Sequence, residues 1–417
     1  MNRYALLIAY AFPPAGGPGV QRMLKFAKYL PEFDWQPVIL TAAAESYLVY
    51  DATLMRDVAD TTPIYRVANP DVNRLRPAAN RRGLGRVLSA LNVALMLPDA
   101  NLFWARKARA TAQEIIGKYQ PKVMLSSCPP ASAHMLALWI HQHFAIPWIA
   151  DFRDPWSENV QTPYYPGYRT LNRRMEKRVL DHCQHVTTVS PPLVEMFQRL
   201  CGRAPHVTLI ENGYDESDVA LLPPSQTERF TILYTGTFSR LRRPDTFVEA
   251  ITQLVANHQI PIESLRVAMA GKNIADYIPD SPPFENLGYL SHTALNALRQ
   301  DSDVLLLILD DSLASRGNYS AKLFEYLACN RPTLCITHPE NVAAQLITRA
   351  KAGQVVNPNP DEIAQVILTY YHAWKSRAFS HAPDWDVIHQ FTRRSLTQRL
   401  VHTFERVIDE TANTPFH

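Results

Sequence analysis

The sequence predicts two α/β domains in succession, each a parallel β-sheet flanked by helices, and three observations predict it. Short apolar runs alternate with helix-length amphipathic segments along most of the chain. The alternation pauses once, near residues 220–230, and then restarts. At 417 residues the chain also exceeds what one ordinary hydrophobic core organises. Strands written as near-continuous apolar runs are buried on both faces, as inside a parallel sheet covered by helices.

In the first half YALLIAYAF, QPVILTA, VMLSSC, WIADF and HVTTVS read as such strands. The Pro- and Ser-containing stretch ALLPPSQTERF interrupts them, and FTILYTG, RVAMAG, DVLLLIL, PTLCIT and GQVV resume the rhythm. From about Asp384, WDVIHQFTRRSLTQRLVHTFERVI keeps helical spacing and contains no strand. That pattern fits equally a helix held within its own domain and one that packs back across both. The expected boundaries are 1–222, 229–383 and 384–417.

Composition narrows the function classes. Apolar residues are 47% and charged residues 19% of the chain, a globular balance. A formal net charge of +3 is too small to argue for a nucleic-acid partner. The five cysteines (128, 183, 201, 329 and 335) are odd in number and never form a CxxC pair, which argues against a disulfide framework or a zinc ribbon. No stretch reaches about 18 uninterrupted apolar residues, so no membrane-spanning helix is expected. The start, MNRYALLIAYAFPP, has one basic residue and no small-residue cleavage site, and it reads as a first strand rather than a signal peptide. A cytoplasmic enzyme is the expectation.

Four segments carry candidate chemistry. In FPPAGGPGVQRMLKFAKYL, Gly16, Gly17 and Gly19 stand where the first strand hands over to a helix whose N-terminal N–H groups suit an anion. The spacing is not GxGxxG and no acidic residue closes QPVILTA, so a dinucleotide site is disfavoured. In IADFRDPWSEN a strand ends in Asp151, Arg153, Asp154 and Trp156, at the sheet edge where ligands of open α/β folds sit. These groups suit sugar hydroxyls or proton transfer, whereas Asp151 fits better an Asp–Arg pair that fixes the loop. In ILYTGTFSRLRRPDTFVEAI, Gly236 and Thr237 follow a strand, and Arg240, Arg242 and Arg243 offer guanidinium forks to a diphosphate. In GNYSAKLFEYLACNRPTLCI, Gly317, Asn318 and Ser320 lead into a helix bearing Lys322 and Glu325. Spaced three apart, those two would pair at the surface on pattern alone.

Taken together the four segments resemble the family 4-type glycosyltransferases of the GT-B fold. FPP-x-GG-x-GVQR is similar to that family's donor-phosphate loop, and DFRDPW to a subgroup of bacterial polysaccharide glycosyltransferases. IENGYD at 210–215 resembles its interdomain element, and KLFEYLACNRP its donor-binding helix. The resemblance implies two Rossmann-like domains facing each other across a cleft. It further implies sugar transfer from a nucleotide-sugar donor to a glycan or lipid-linked saccharide, with retention of configuration, no bound metal and no cofactor.

For site residues it implies donor binding by Gly16, Gly17, Gly236, Arg243, Ser320, Lys322 and Glu325, with Glu325 on the ribose. Asp154 and Arg153 are left as catalytic candidates, standing where many relatives carry a His. The family's earlier glutamate is replaced by Gly317, and the Arg that precedes its Lys by six residues is replaced by Thr237, with Arg243 in the later position. A metal-dependent transferase would need a DxD motif. Asp301 and Asp303 match by letter, as do Asp384 and Asp386, but the first pair stands between a helix and a strand, where capping and solvation account for it.

Two other readings stay open: a nucleotide-sugar epimerase of the same fold, and a non-catalytic sugar-nucleotide-binding partner. Finally, residues 169–180 place Arg169, Arg173, Arg174, Lys177 and Arg178 on one helical side, with Leu171, Met175 and Val179 opposite. Such a helix suits either peripheral contact with the inner face of an anionic membrane or a charged outer face over a core stripe.

Overall fold

The computed structural model describes residues 3–47, 49–69, 97–159, 167–201, 206–218, 227–310, 316–317 and 319–412. The chain divides into two compact units, one built from Met1–Glu211 with Arg393–His417 and the other from Asn212–Thr392. The breaks expected from sequence are at 222–229 and 384. The first division in fact falls inside IENGYD.

The first unit holds strands β1 (Arg3–Ile8), β2 (Trp35–Ala42), β3 (Ile64–Val67), β4 (Val123–Cys128), β5 (Trp148–Phe152), β6 (His185–Thr188) and β7 (Val207–Leu209). They form one parallel sheet in the order β3-β2-β1-β4-β5-β6-β7. Helices α1 (Pro18–Tyr29), α2 (Leu102–Tyr119), α3 (Ser132–Phe144), α4 (Tyr168–His182) and α5 (Pro191–Cys201) connect these strands. Alternate side chains of β1 enter different cores: Leu6 and Ile8 join one apolar cluster, Ala5 and Leu7 the other.

The second unit holds β8 (Phe230–Thr235), β9 (Leu265–Ala270), β10 (Phe284–Gly288), β11 (Val304–Ile308), β12 (Thr333–Ile336) and β13 (Gly353–Val356). Their order is β10-β9-β8-β11-β12-β13, again parallel. Its helices are α6 (Asp245–Ala256), α7 (His292–Gln300), α8 (Ala321–Ala328), α9 (Val342–Arg349) and α10 (Pro360–Lys375). A short helical turn follows at Trp385–Ile388.

The last helix, α11 (Arg393–Ala412), belongs to the first unit. Leu396, Leu400, Phe404 and Val407 are buried in one cluster with Val20, Leu24 and Ala27 of α1. Phe404 meets Trp35 edge-on at 5.3 Å, and Glu405 takes Arg3 at 2.7 Å.

In both sheets the direction of winding reverses beside the first strand, between β1 and β4 and between β8 and β11. Such a reversal opens a crevice at the carboxyl ends, where ligands of this architecture bind. The glycine-containing loops after β1 and β8 lie at those two places.

β3, β7 and β10 were not foreseen. All three are edge strands, and none has a continuous buried run. Half-exposed edges carry mixed residues, so the apolar signal that marks the central strands is missing.

Candidate functional site

In the first unit three sequence segments are fastened together by Arg22. Its guanidinium lies on the buried side of α1 and forks onto Asp151 at the end of β5, with contacts of 2.7 and 3.1 Å. Its remaining nitrogen donates to the Glu211 carbonyl at 2.9 Å. Ser127 and Thr187 also donate to Asp151, at 2.9 and 2.8 Å. Burial by itself would raise the Asp151 carboxyl. The Arg22 charge and these hydrogen bonds more than offset it and hold the group below the usual carboxylate range. Asp151 therefore fixes a loop, as the pattern suggested, but its partner is Arg22 rather than the neighbouring Arg153.

Arg153 is spent on main-chain carbonyls. It donates to Gly19 at 2.7 Å, to Pro129 at 2.6 Å and to Cys128 at 3.4 Å, and so joins the loops that follow β1, β4 and β5. Trp156 is buried, and its indole N–H donates to Asn172 of α4 at 2.7 Å. Asp154 differs from both. Its side chain is exposed and makes no hydrogen bond among the described residues. The loop around it desolvates the carboxyl and raises it, against the pull of Arg153. At the glycines, the Gly16 N–H is already taken by Val49 at 2.9 Å. Gly17 is exposed with φ 97°, a conformation that favours glycine, and Pro18 begins α1 without an N–H.

In the second unit the carboxyl end of β8 is the focus. Tyr326 of α8 receives both the main-chain N–H of Thr235 and a bond with its hydroxyl, each 3.0 Å, which pins α8 against the strand end. One turn earlier on α8, Lys322 is turned inward. Its ammonium stands 4.3 Å from the centroid of the Tyr234 ring and has no hydrogen-bond acceptor among the described residues. Phe238 stacks on Tyr234 at 4.3 Å. A Cβ at Gly236 would fall 2.3 Å from the Lys322 nitrogen, so only glycine admits the lysine there. Burial, then Arg242 and Arg299, push the Lys322 ammonium down to about 7, against Glu325.

Glu325 does not pair with Lys322. It takes the buried Arg299 of α7 at 2.5 Å, and Arg299 also donates to Asn296 at 2.7 Å. The surface Lys–Glu pair expected from spacing is thus replaced by an inward lysine and a tertiary Arg–Glu pair. Ser320 precedes α8 in extended conformation and leaves its hydroxyl off the helix N–H groups. Arg243 is exposed and engaged by Asp245 at 2.6 Å, whereas Arg242 is half-buried with its Nε unpartnered. Asn318 lies outside the described residues.

Residues 16–213 match the model of the glycosyl transferase 4-like domain. Sucrose-phosphate synthase from Thermosynechococcus elongatus has a similar fold, with TM-score 0.63 and 13% identity over 98% of this chain and 100% of that one. HepE of Anabaena in complex with UDP and glucose gives TM-score 0.64 and 14% identity over 97% and 100%. TarM gives 0.60 and 10% over 97% and 99%. No curated protein matches the sequence. The chain has the GT-B fold, and its residues 16–213 match a glycosyl transferase 4-like domain.

Other features of the chain differ from the expectations from sequence. On α4 the buried side is Asn172, Glu176, Val179 and Leu180, while Leu171 is 44% exposed. The stripe is rotated because Asn172 and Glu176 hold Trp156 and Ser157. Asp303 accepts from the Thr231 N–H at 2.8 Å and from Thr227, and Asp384 caps the turn at Trp385–Ile388. Both therefore serve local structure. Among the described residues no helix is long and apolar enough to cross a membrane.

Arg22 and Arg299 have no role expected from sequence, whereas Arg242 belongs to the arginine cluster that the sequence offers to a diphosphate. A basic residue inside the apolar spacing of α1 was the available signal for Arg22; Arg299 needed tertiary contacts.

Proposed function

We propose that this chain is a glycosyltransferase that takes its sugar from a nucleotide-sugar donor and transfers it, with retention of configuration and without a bound metal, to a glycan or lipid-linked saccharide in bacterial surface polysaccharide synthesis. One observation carries the donor assignment: Lys322 is a buried amine with no hydrogen-bond acceptor among the described residues, at the carboxyl end of the second unit's sheet. Charging an amine there is costly unless a counter-charge arrives, and a diphosphate supplies it. HepE, of the same fold, is described with UDP and glucose.

In this reading Lys322 and Arg242 neutralise the diphosphate as it leaves, the step at which fixed positive charge lowers the barrier most. Arg243 joins them only by leaving Asp245. Glu325, steadied by Arg299, accepts from the ribose hydroxyls, while Gly236 and Ser320 give the phosphates access to main chain. In the first unit, Gly16 and Gly17 shape an anion-accepting helix start. Asp154 is the side chain there with an unengaged carboxylate, and it meets the acceptor or the transferred sugar.

Helix α4 supports a membrane-facing acceptor. Arg169, Arg174 and Arg178 stand exposed around Leu171, beside Arg173 and Lys177, which pair with Glu158 and Asp181.

Thermal shift against UDP-, GDP-, ADP- and dTDP-sugars tests the donor, followed by product analysis with and without acceptor. One donor is expected to stabilise the wild type and not Lys322→Gln. Conversion of donor in the absence of acceptor would mark an epimerase, and full turnover by Lys322→Gln would remove the assignment.

A further inference from the structure

We infer that Lys322 rests in the unliganded protein as a neutral amine folded over Tyr234, and that capture of a diphosphate draws a proton onto it from solvent. The inference rests on the donor reading above and adds a proton to it.

The geometry argues for the neutral form at rest. The nitrogen is enclosed by the Tyr234 ring at 4.3 Å and by the main chain at Gly236, where a Cβ would stand 2.3 Å away. No oxygen accepts from it among the described residues. The charged groups that bear on it come from three elements. Arg242, on the loop after β8, and Arg299, on α7, are cations and disfavour an ammonium. Glu325 shares its helix and favours one, but that carboxylate is already held by Arg299 at 2.5 Å.

The two phenols nearby contribute no negative charge near neutral pH. Tyr326 is buried and faces Thr235, and Tyr234 is pushed well above its ordinary range by burial. The ring face attracts a cation, yet burial, then Arg242 and Arg299, outweigh it, and the amine titrates at about 7.

A diphosphate diester brings two negative charges to the same place and reverses the balance. The amine lone pair then takes one proton from water or buffer, forming the third N–H of an ammonium. When the nucleoside diphosphate departs, the proton returns to solvent. The sign of the pH dependence follows. The bound state keeps Lys322 protonated, so donor affinity is full below the resting midpoint and falls as pH rises through it. The slope approaches tenfold per pH unit.

Two measurements on the full chain test this. Carbon-13 NMR of the lysine Cε, with Lys322→Arg to identify the resonance, is expected to show a midpoint near neutrality in the free protein; a midpoint above about 9.5 overturns the inference. Calorimetric titration of UDP-, GDP-, ADP- and dTDP-glucose at pH 7.5 follows, in buffers of low and high ionisation enthalpy. A diphosphate diester does not itself titrate there, so any uptake belongs to the protein. The donor that binds is expected to take up half a proton or more, and Lys322→Arg to bind it with no uptake. Binding without uptake overturns the inference and leaves the donor reading intact, whereas failure of all four to bind overturns both.

Discussion

Arg22 and Asp151, 129 positions apart in sequence, form a forked ion pair that is shut off from solvent, at 2.7 Å. Removing one partner of such a pair leaves the other charge buried and costs about 3–5 kcal/mol. Asp151→Asn should therefore lower the unfolding free energy of the first unit by that order in urea titration at pH 7. Because Asp151 is held below its ordinary 3.8, its contribution is present above that value and is lost as pH falls through the folded-state value. The variant's deficit should shrink below pH 4. An equal deficit at pH 7 and pH 3 would contradict the assignment.

Lys322 gives a test of the opposite sign. Its ammonium titrates near 7 in the fold, against 10.5 for an exposed lysine. Between those values the unfolded chain binds the extra proton, so the stability lost to burying this lysine is largest below pH 7 and declines toward pH 10. Lys322→Met should raise the melting temperature by several degrees at pH 6 and by progressively less above pH 8. Scanning calorimetry across that range reads it directly.

Neighbouring arginines should separate. Arg242→Ala should weaken donor binding by roughly 10–100-fold, the loss of about 1.4–2.7 kcal/mol expected when a half-buried guanidinium leaves a phosphate. Arg243→Ala removes an exposed pair with Asp245 and should change affinity by less than about threefold. Isothermal titration with the identified donor decides, and the reverse order would return the role to Arg243.

At the first unit's site, Asp154→Asn should lower kcat by roughly a hundredfold while leaving donor-induced thermal shift unchanged. The acid limb of the wild-type rate profile should lie above the ordinary carboxylate value of 3.8, since the surrounding loop raises this group. Arg153→Lys, by contrast, should act on stability, because its guanidinium binds the carbonyls of Gly19, Pro129 and Cys128. Undiminished kcat in Asp154→Asn would leave the acceptor side without an assigned group.

What could be read in the sequence follows what is local. Central strands such as VMLSSC and DVLLLIL announce themselves, because burial on both faces favours apolar residues and admits a polar one only where, as at Ser127, it is hydrogen-bonded. Edge strands such as β10, with Glu285 and Asn286 exposed, do not. Spacing placed Lys322 and Glu325 on one face of α8, but it could not show which way that face turns. That direction depends on Tyr326 docking on Thr235 and on Arg299 arriving from α7. The same limit hid Asn172 and Glu176, polar residues on a buried face, whose partners lie on another loop. The exposure of Asp154 was legible for a simpler reason: it follows a buried strand at the end where this fold exposes its loops.

The return of α11 to the first unit sets the order in which the protein can be completed. Every strand of the first sheet has been synthesised once residue 209 is made, yet the apolar face of α1 waits for Leu396, Leu400 and Phe404. The second unit, contiguous from Asn212 to Thr392, has all its residues before then. The unit that begins first is thus the one that finishes last, and a stop codon ahead of Arg393 would leave it with an uncovered greasy flank for chaperones or proteases to find.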